Sequence, residues 1–141
     1  MNSKIKIGLL FSIVTIWYSC KDDEPAVVVP PACSADIGGN VTIVSFAKHN
    51  GIYIINSSTN QDTAYIKFNA TTSPGLSPAD YDYFYVSHEG EDHIHCEDLK
   101  CGNYFLYRTA FDTTTMTRYS GTQVINITQT TGEIDIETDV N

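Results

Sequence analysis

The chain has 141 residues, with 17 acidic side chains against 8 basic ones and a formal net charge of −9 at pH 7. That balance argues against nucleic acid, whose binding rests on clustered Lys and Arg, and against resting flat on anionic lipid. It favours solubility, admits cation binding, and says nothing about fold.

The first predicted element is a secretory leader over residues 1–19. Lys4 and Lys6 give a basic start, Ile7 to Trp17 an apolar run broken only by Gly8, Ser12 and Thr15, and Ser19 a small residue at the cut. The run is too short to cross a hydrocarbon core of about 30 Å as a stable helix, so it reads as a signal to be removed. Ser19-Cys20 resembles the end of a bacterial lipobox, with Trp17 and Tyr18 where Leu and a small residue usually stand. The resemblance implies that Cys20 is acylated and becomes the first mature residue, with outer-membrane lipid as its partner. Each buried methylene contributes about 0.8 kcal/mol, so a multiply acylated cysteine anchors a protein with no spanning helix. An ordinary signal peptide with a chance cysteine is the alternative. Lys21-Asp22-Asp23 resembles the export signal of Bacteroidota surface lipoproteins, which implies a domain facing the cell exterior; a solvated charged tether is the plainer reading. Loss of Lys4 and Lys6 leaves 6 basic against 17 acidic residues, a formal charge of −11.

Residues 20–37 read as the lipidated cysteine and an extended tether, stiffened by Ala26-Val27-Val28-Val29-Pro30-Pro31. Residues 38–141, with about Cys33 as the alternative start, remain as a single domain of roughly 105 residues with one core.

No segment of that domain carries a helical period. Short runs rich in Val, Ile, Tyr, Phe and Thr alternate with turn residues instead. Strands are predicted at Val41 to Ala47 and Ile52 to Asn56, joined across Asn50-Gly51, which accepts positive φ at both turn positions. Thr63 to Asn69 follows, then a loop with Pro74-Gly75 and Pro78. Tyr83 to His88, His93 to Cys96, Tyr104 to Phe111 and Gln123 to Thr128 are the next strands. Glu133 to Val140 closes the domain with Ile134, Ile136 and Val140 on one face and Glu133, Asp135, Glu137 and Asp139 on the other. Seven or eight short strands at this spacing predict an all-β antiparallel Greek-key sandwich.

Leu99-Lys100-Cys101-Gly102-Asn103-Tyr104 reads Leu-x-x-Gly-x-Tyr at the entrance to a strand. A tyrosine at such a corner folds back so that its hydroxyl bonds to backbone upstream, and Gly102 supplies the turn conformation. From an aromatic strand through this motif to the Gly-led strand Gly121 to Ile127 and the final amphipathic one, the sequence resembles prealbumin-like modules related to carboxypeptidase regulatory domains. The resemblance covers roughly residues 60–140. It implies a non-catalytic module for adhesion, spacing or sugar contact; fibronectin type III domains share a similar corner and remain the rival topology. Such modules usually carry a Phe or similar residue at the position of Cys96.

The densest polar cluster runs from His88 to Asp98, with Cys101 behind it. Alternation sets His93 and His95 on one strand face, and Ile94 and Cys96 on the other. A His-x-His pair chelates transition ions, with His88, Glu91, Asp92 or Cys96 available to complete a shell; a solvated hairpin is the plainer reading. Cys96 and Cys101 are the candidate disulfide in an oxidising compartment, with Cys33 either free or paired with one of them. A Cys96–His pair in a thiol hydrolase is a weaker third reading. Tyr81, Tyr83 and Tyr85 share a face if their strand is regular, as a sugar-stacking platform or, more plainly, as cover for the core edge. Asp62-Thr63-Ala64 and Asp112-Thr113-Thr114 resemble the O-glycosylation motif of Bacteroidota secreted proteins, which implies glycans at Thr63 and Thr113.

These readings converge on a lipid-anchored, non-catalytic envelope module that contacts a glycan or protein, as a monomer or within an envelope complex. No cofactor is expected. A metal-binding lipoprotein built on the His88–Cys101 region is the alternative.

Overall fold

The structure is a computed structural model and describes residues 32–141. The acylation and export residues Cys20, Lys21, Asp22 and Asp23 lie outside the described residues.

Among the described residues eight strands follow in chain order: β1 (Ile37–His49), β2 (Ile52–Tyr53), β3 (Thr63–Phe68), β4 (Tyr83–Val86), β5 (His93–Leu99), β6 (Gly102–Asp112), β7 (Thr117–Ile127) and β8 (Thr131–Asp139). They build the two packed sheets expected of a sandwich. In one, β1 pairs antiparallel with β2 and β5 and parallel with β8. The other runs β4-β3-β6-β7, antiparallel throughout. Each sheet turns one face inward, as the alternation in sequence requires.

The core has two apolar ends and a polar middle. Val41, Ile43, Ile94, Cys96, Leu99 and Ile136 from one sheet meet Ala64, Ile66, Tyr104, Leu106, Ile125 and Ile127 from the other. At the far end Ala47, Ile54, Ala110 and Val140 form a smaller cluster under Tyr119. Between the two lie the inward positions Ser45 of β1, Arg108 of β6 and Thr138 of β8, all buried, with buried Asp62 beside Arg108. Strand alternation dictates this layer: Ser45 stands between Ile43 and Ala47, and Arg108 between Leu106 and Ala110.

The predicted corner forms. Tyr104 is fully buried, its ring edge-on to Phe68 at 5.9 Å. Its hydroxyl donates to the Lys100 carbonyl at 2.7 Å and accepts the Asp36 N–H at 3.2 Å. Gly102 sits at φ 148°, and a Cβ there would lie 2.2 Å from the Ala35 backbone nitrogen. The position therefore needs glycine for its conformation and for the close approach of residues 33–36.

That approach corrects two expectations. The cysteines join as Cys33–Cys101, with Cα atoms 5.0 Å apart, not as Cys96–Cys101. Cys96 is a free buried thiol because β5 alternation turns it inward with Ile94, whereas Cys101 lies beyond the strand at the corner. Residues 33–37, assigned by sequence to the tether, belong to the folded unit: Ala35 is buried in the main core. Asn69 holds it there, accepting the Ala35 N–H at 2.9 Å and donating to the Ala35 carbonyl at 3.0 Å.

Candidate functional site

The outer face of the β1 sheet carries the histidines. β5 turns Ile94 and Cys96 inward and leaves His93 and His95 half-buried on the outside. The ladder sets His93 opposite Phe46 and His95 opposite Val44. The Phe46 and His93 rings lie 5.3 Å apart, so apolar packing fixes the imidazole plane. His93 Nε2 and His95 Nε2 are 3.0 Å apart, and Glu91 Oε2 is 3.9 Å from His93 Nε2. The other nitrogen of His93, Nδ1, faces Asp92 Oδ1 at 2.9 Å. One ligand atom each from Glu91, His93 and His95 falls within 4.8 Å of the other two, the spacing of a cation's donor set.

The turn that brings Glu91 over β5 is held by Asn56. Its N–H donates to the Glu91 carbonyl at 2.7 Å, its carbonyl accepts Gly90 N–H at 3.1 Å, and its side-chain amide donates to the His93 carbonyl at 2.9 Å. Asn56 is itself buried, so these bonds are shielded from water.

Two predicted ligands stand apart. Cys96 faces the interior on the opposite side of β5, because neighbours along a strand alternate. Its burial pushes the thiol up to about 12, which opposes the nucleophile expected of a thiol hydrolase. His88 is exposed in the turn after β4 and shares a side slot with His95 and Glu97, apart from the Glu91–His93–His95 group.

The second sheet presents aromatic rings to solvent. Tyr65 of β3 and Tyr107 of β6 are cross-strand partners, with ring centroids 5.9 Å apart. Tyr81 lies 5.9 Å from each, and Phe84 of β4 lies 6.3 Å from Tyr65 with 61% of its surface exposed. Thr63, Tyr65, Pro78, Ala79, Phe84 and Val86 line a shallow groove of about 410 Å³. Lys67 and Asp82 form a rim pair at 2.7 Å.

This arrangement departs from the expected Tyr81–Tyr83–Tyr85 row. Tyr81 precedes β4, after a short 3-10 turn at Pro78–Asp80, and joins the outer face. Tyr85 packs on the core, with its hydroxyl donating to the Glu97 carbonyl of β5 at 2.5 Å. The outer cluster draws rings from three segments, and the register that joins them has no local signature in sequence. The tyrosines of β3 and β6 at alternating outward positions were its only signal.

The two glycosylation candidates differ in setting. Thr113 is exposed in the β6–β7 turn, which Asp112 stabilises by accepting Thr114 N–H at 2.8 Å. Thr63 opens β3, half-buried between buried Asp62 and buried Ala64.

No protein-family model, curated protein or solved structure matches the chain.

Proposed function

We propose that this chain is a non-catalytic, lipid-anchored module of the outer membrane that faces the cell exterior and holds glycan on the outer face of the β4-β3-β6-β7 sheet. The leader ending at Cys20 and the Lys21-Asp22-Asp23 run support the anchor and its orientation. The grouping of Tyr65, Tyr81, Tyr107 and exposed Phe84 carries the glycan reading. Pyranose rings offer flat C–H faces that settle on aromatic rings, while tyrosine hydroxyls and the Lys67–Asp82 rim meet sugar hydroxyls. A rigid strand ladder holds the rings in place before the ligand arrives, which limits the ordering cost of binding.

The test is retention of the protein on a panel of immobilised polysaccharides, alongside Phe84→Ala and Tyr65→Ala variants checked for folding by near-ultraviolet circular dichroism. Binding that weakens at least tenfold in both variants supports the reading. A protein that ignores every glycan but captures an envelope protein through the same face makes the module a protein adhesin instead. Glycan binding indifferent to both substitutions rejects this face.

A further inference from the structure

We propose that Glu91, His93 and His95 form a binding site for a divalent transition ion of the zinc type, on the face of the molecule opposite the aromatic cluster. Zinc binds imidazole nitrogen at about 2.0–2.1 Å, which puts two ligands of a tetrahedral ion roughly 3.3 Å apart. The 3.0 Å separation of the His93 and His95 Nε2 atoms is near that edge. Glu91 Oε2, 3.9 Å from His93 Nε2, needs to close by little more than half an ångström. That oxygen is buried and has no hydrogen-bond partner among the described residues, so a cation would supply the positive charge it faces without.

Asp92 fits the role of the supporting carboxylate. Its contact with His93 Nδ1 at 2.9 Å fixes the proton on that nitrogen in the neutral ring and turns the Nε2 lone pair toward His95 and Glu91. With that proton on Nδ1, His93 Nε2 is an acceptor, which makes His95 Nε2 the donor of their 3.0 Å contact in the ion-free site. Binding shifts the His95 proton to Nδ1 and replaces that hydrogen bond with two coordinate bonds. Asn56 and Phe46 hold the turn and the ring, so little ordering remains to be done.

Two neutral imidazoles and one carboxylate leave the ion with a net charge of +1. Its fourth position opens to solvent, since all three ligands are only half-buried. The same face carries Asp135 of β8, two strands from His95 in the ladder, and its charge favours retention of a cation, whereas Glu137 beyond it is already paired with Lys48 at 2.6 Å. The donor set suits zinc or copper over magnesium or calcium, which prefer all-oxygen shells.

The test is titration of Zn²⁺, followed by calorimetry, into the full-length chain purified in detergent without chelator or histidine tag. One equivalent is expected to bind, with Co²⁺ giving the intense visible absorption of a tetrahedral site. His93→Ala and His95→Ala are expected to abolish stoichiometric binding while keeping the unfolding temperature, because both rings lie outside the core. Asp92→Asn is expected to weaken binding about 10–100-fold. His88→Ala and Cys96→Ala are expected to leave the affinity unchanged. Absence of stoichiometric binding overturns the site, as does binding that survives His93→Ala or that depends on His88 or Cys96.

Discussion

Asp62 and Arg108 face each other inside the sandwich with no exposed surface on either side chain, their closest charged atoms 3.8 Å apart. Asp62 Oδ1 also accepts the Phe111 N–H at 2.7 Å, and Arg108 Nη1 donates to the Thr109 carbonyl at 2.6 Å. Desolvation acts on both: it raises Asp62 despite the Phe111 bond and Arg108, and it lowers Arg108 to about 10 despite Asp62. The pair is thus a cost that each partner reduces for the other.

Arg108→Met is expected to destabilise the domain by about 3–5 kcal/mol, because it leaves the Asp62 charge buried and uncompensated. Asp62→Asn/Arg108→Met is expected to recover most of that loss. Urea unfolding of the three proteins measures both effects; equal stabilities for the single and double variants would show that charge is not the cause.

The sign of the Asp62 shift sets a pH dependence opposite to that of its surface counterparts. A raised acid contributes stability that is full below the ordinary carboxylate range and lost as pH rises through its folded value. At Asp82, desolvation pulls upward, but the Lys67 ammonium and the Phe68 N–H outweigh it and hold the carboxyl low. At Glu137, the Lys48 ammonium and then the Tyr53 hydroxyl do the same. Those two contribute stability present above the ordinary range and lost as pH falls below about 4. Asp62→Asn removes the opposing group, so its stability is expected to fall more steeply than the wild type's on acidification. Thermal unfolding across pH 3 to 7 gives the comparison (about the span of carboxylate titration); parallel curves would count against a raised Asp62.

Reduction of Cys33–Cys101, or Cys33→Ser, releases a cross-link across 68 positions of sequence. The chain-entropy account predicts a loss of about 4 kcal/mol. Thiol labelling of the described domain is expected to find no reactive cysteine when native and one, Cys96, when unfolded under oxidising conditions. Rapid native labelling at Cys96 would contradict its buried place.

Tyr104→Phe keeps the ring against Phe68 and deletes the hydroxyl that serves Lys100 and Asp36. It is expected to cost about 1 kcal/mol, as two part-buried backbone groups lose a partner. Hydrogen exchange at the Asp36 amide should accelerate by more than the global loss alone explains; protection equal to that of distant core amides would remove the corner's local role.

Much of this architecture was legible in the chain. Alternation at Glu133 to Val140 and at His93 to Cys96 gave the buried face of each strand, and Leu99 to Tyr104 gave the corner with its hydroxyl bond. β7 begins at Thr117 and not at Gln123 because Thr117-Arg118-Tyr119-Ser120 is a polar, partly exposed stretch ordered by its ladder with β6. Arg108 reads as a surface residue until β6 register turns it inward. The cysteine partner was hidden for a related reason. Cys96 and Cys101 are near in sequence but point to different places, whereas Cys33 arrives beside Cys101 only once Ala35 is buried and Asn69 has secured its backbone. At the candidate cation site the His-x-His spacing and Glu91 in the adjoining turn were visible, but the choice of Glu91 over His88, Asp92 and Cys96 depends on a turn fixed by Asn56, more than thirty residues away.

The parallel pairing of β1 with β8 has a mechanical consequence. Nine residue pairs, from Asn40–Thr131 to Lys48–Asp139, run side by side in the same direction. Tension applied at Ala32 and at Asn141 pulls these strands past one another, so the bonds of the ladder share the load and do not open one at a time. The Cys33–Cys101 bridge carries tension directly to the corner and keeps the chain between its two sulfurs from paying out. A domain tethered at one end and gripping a surface with its body would resist shear as a short, stiff link.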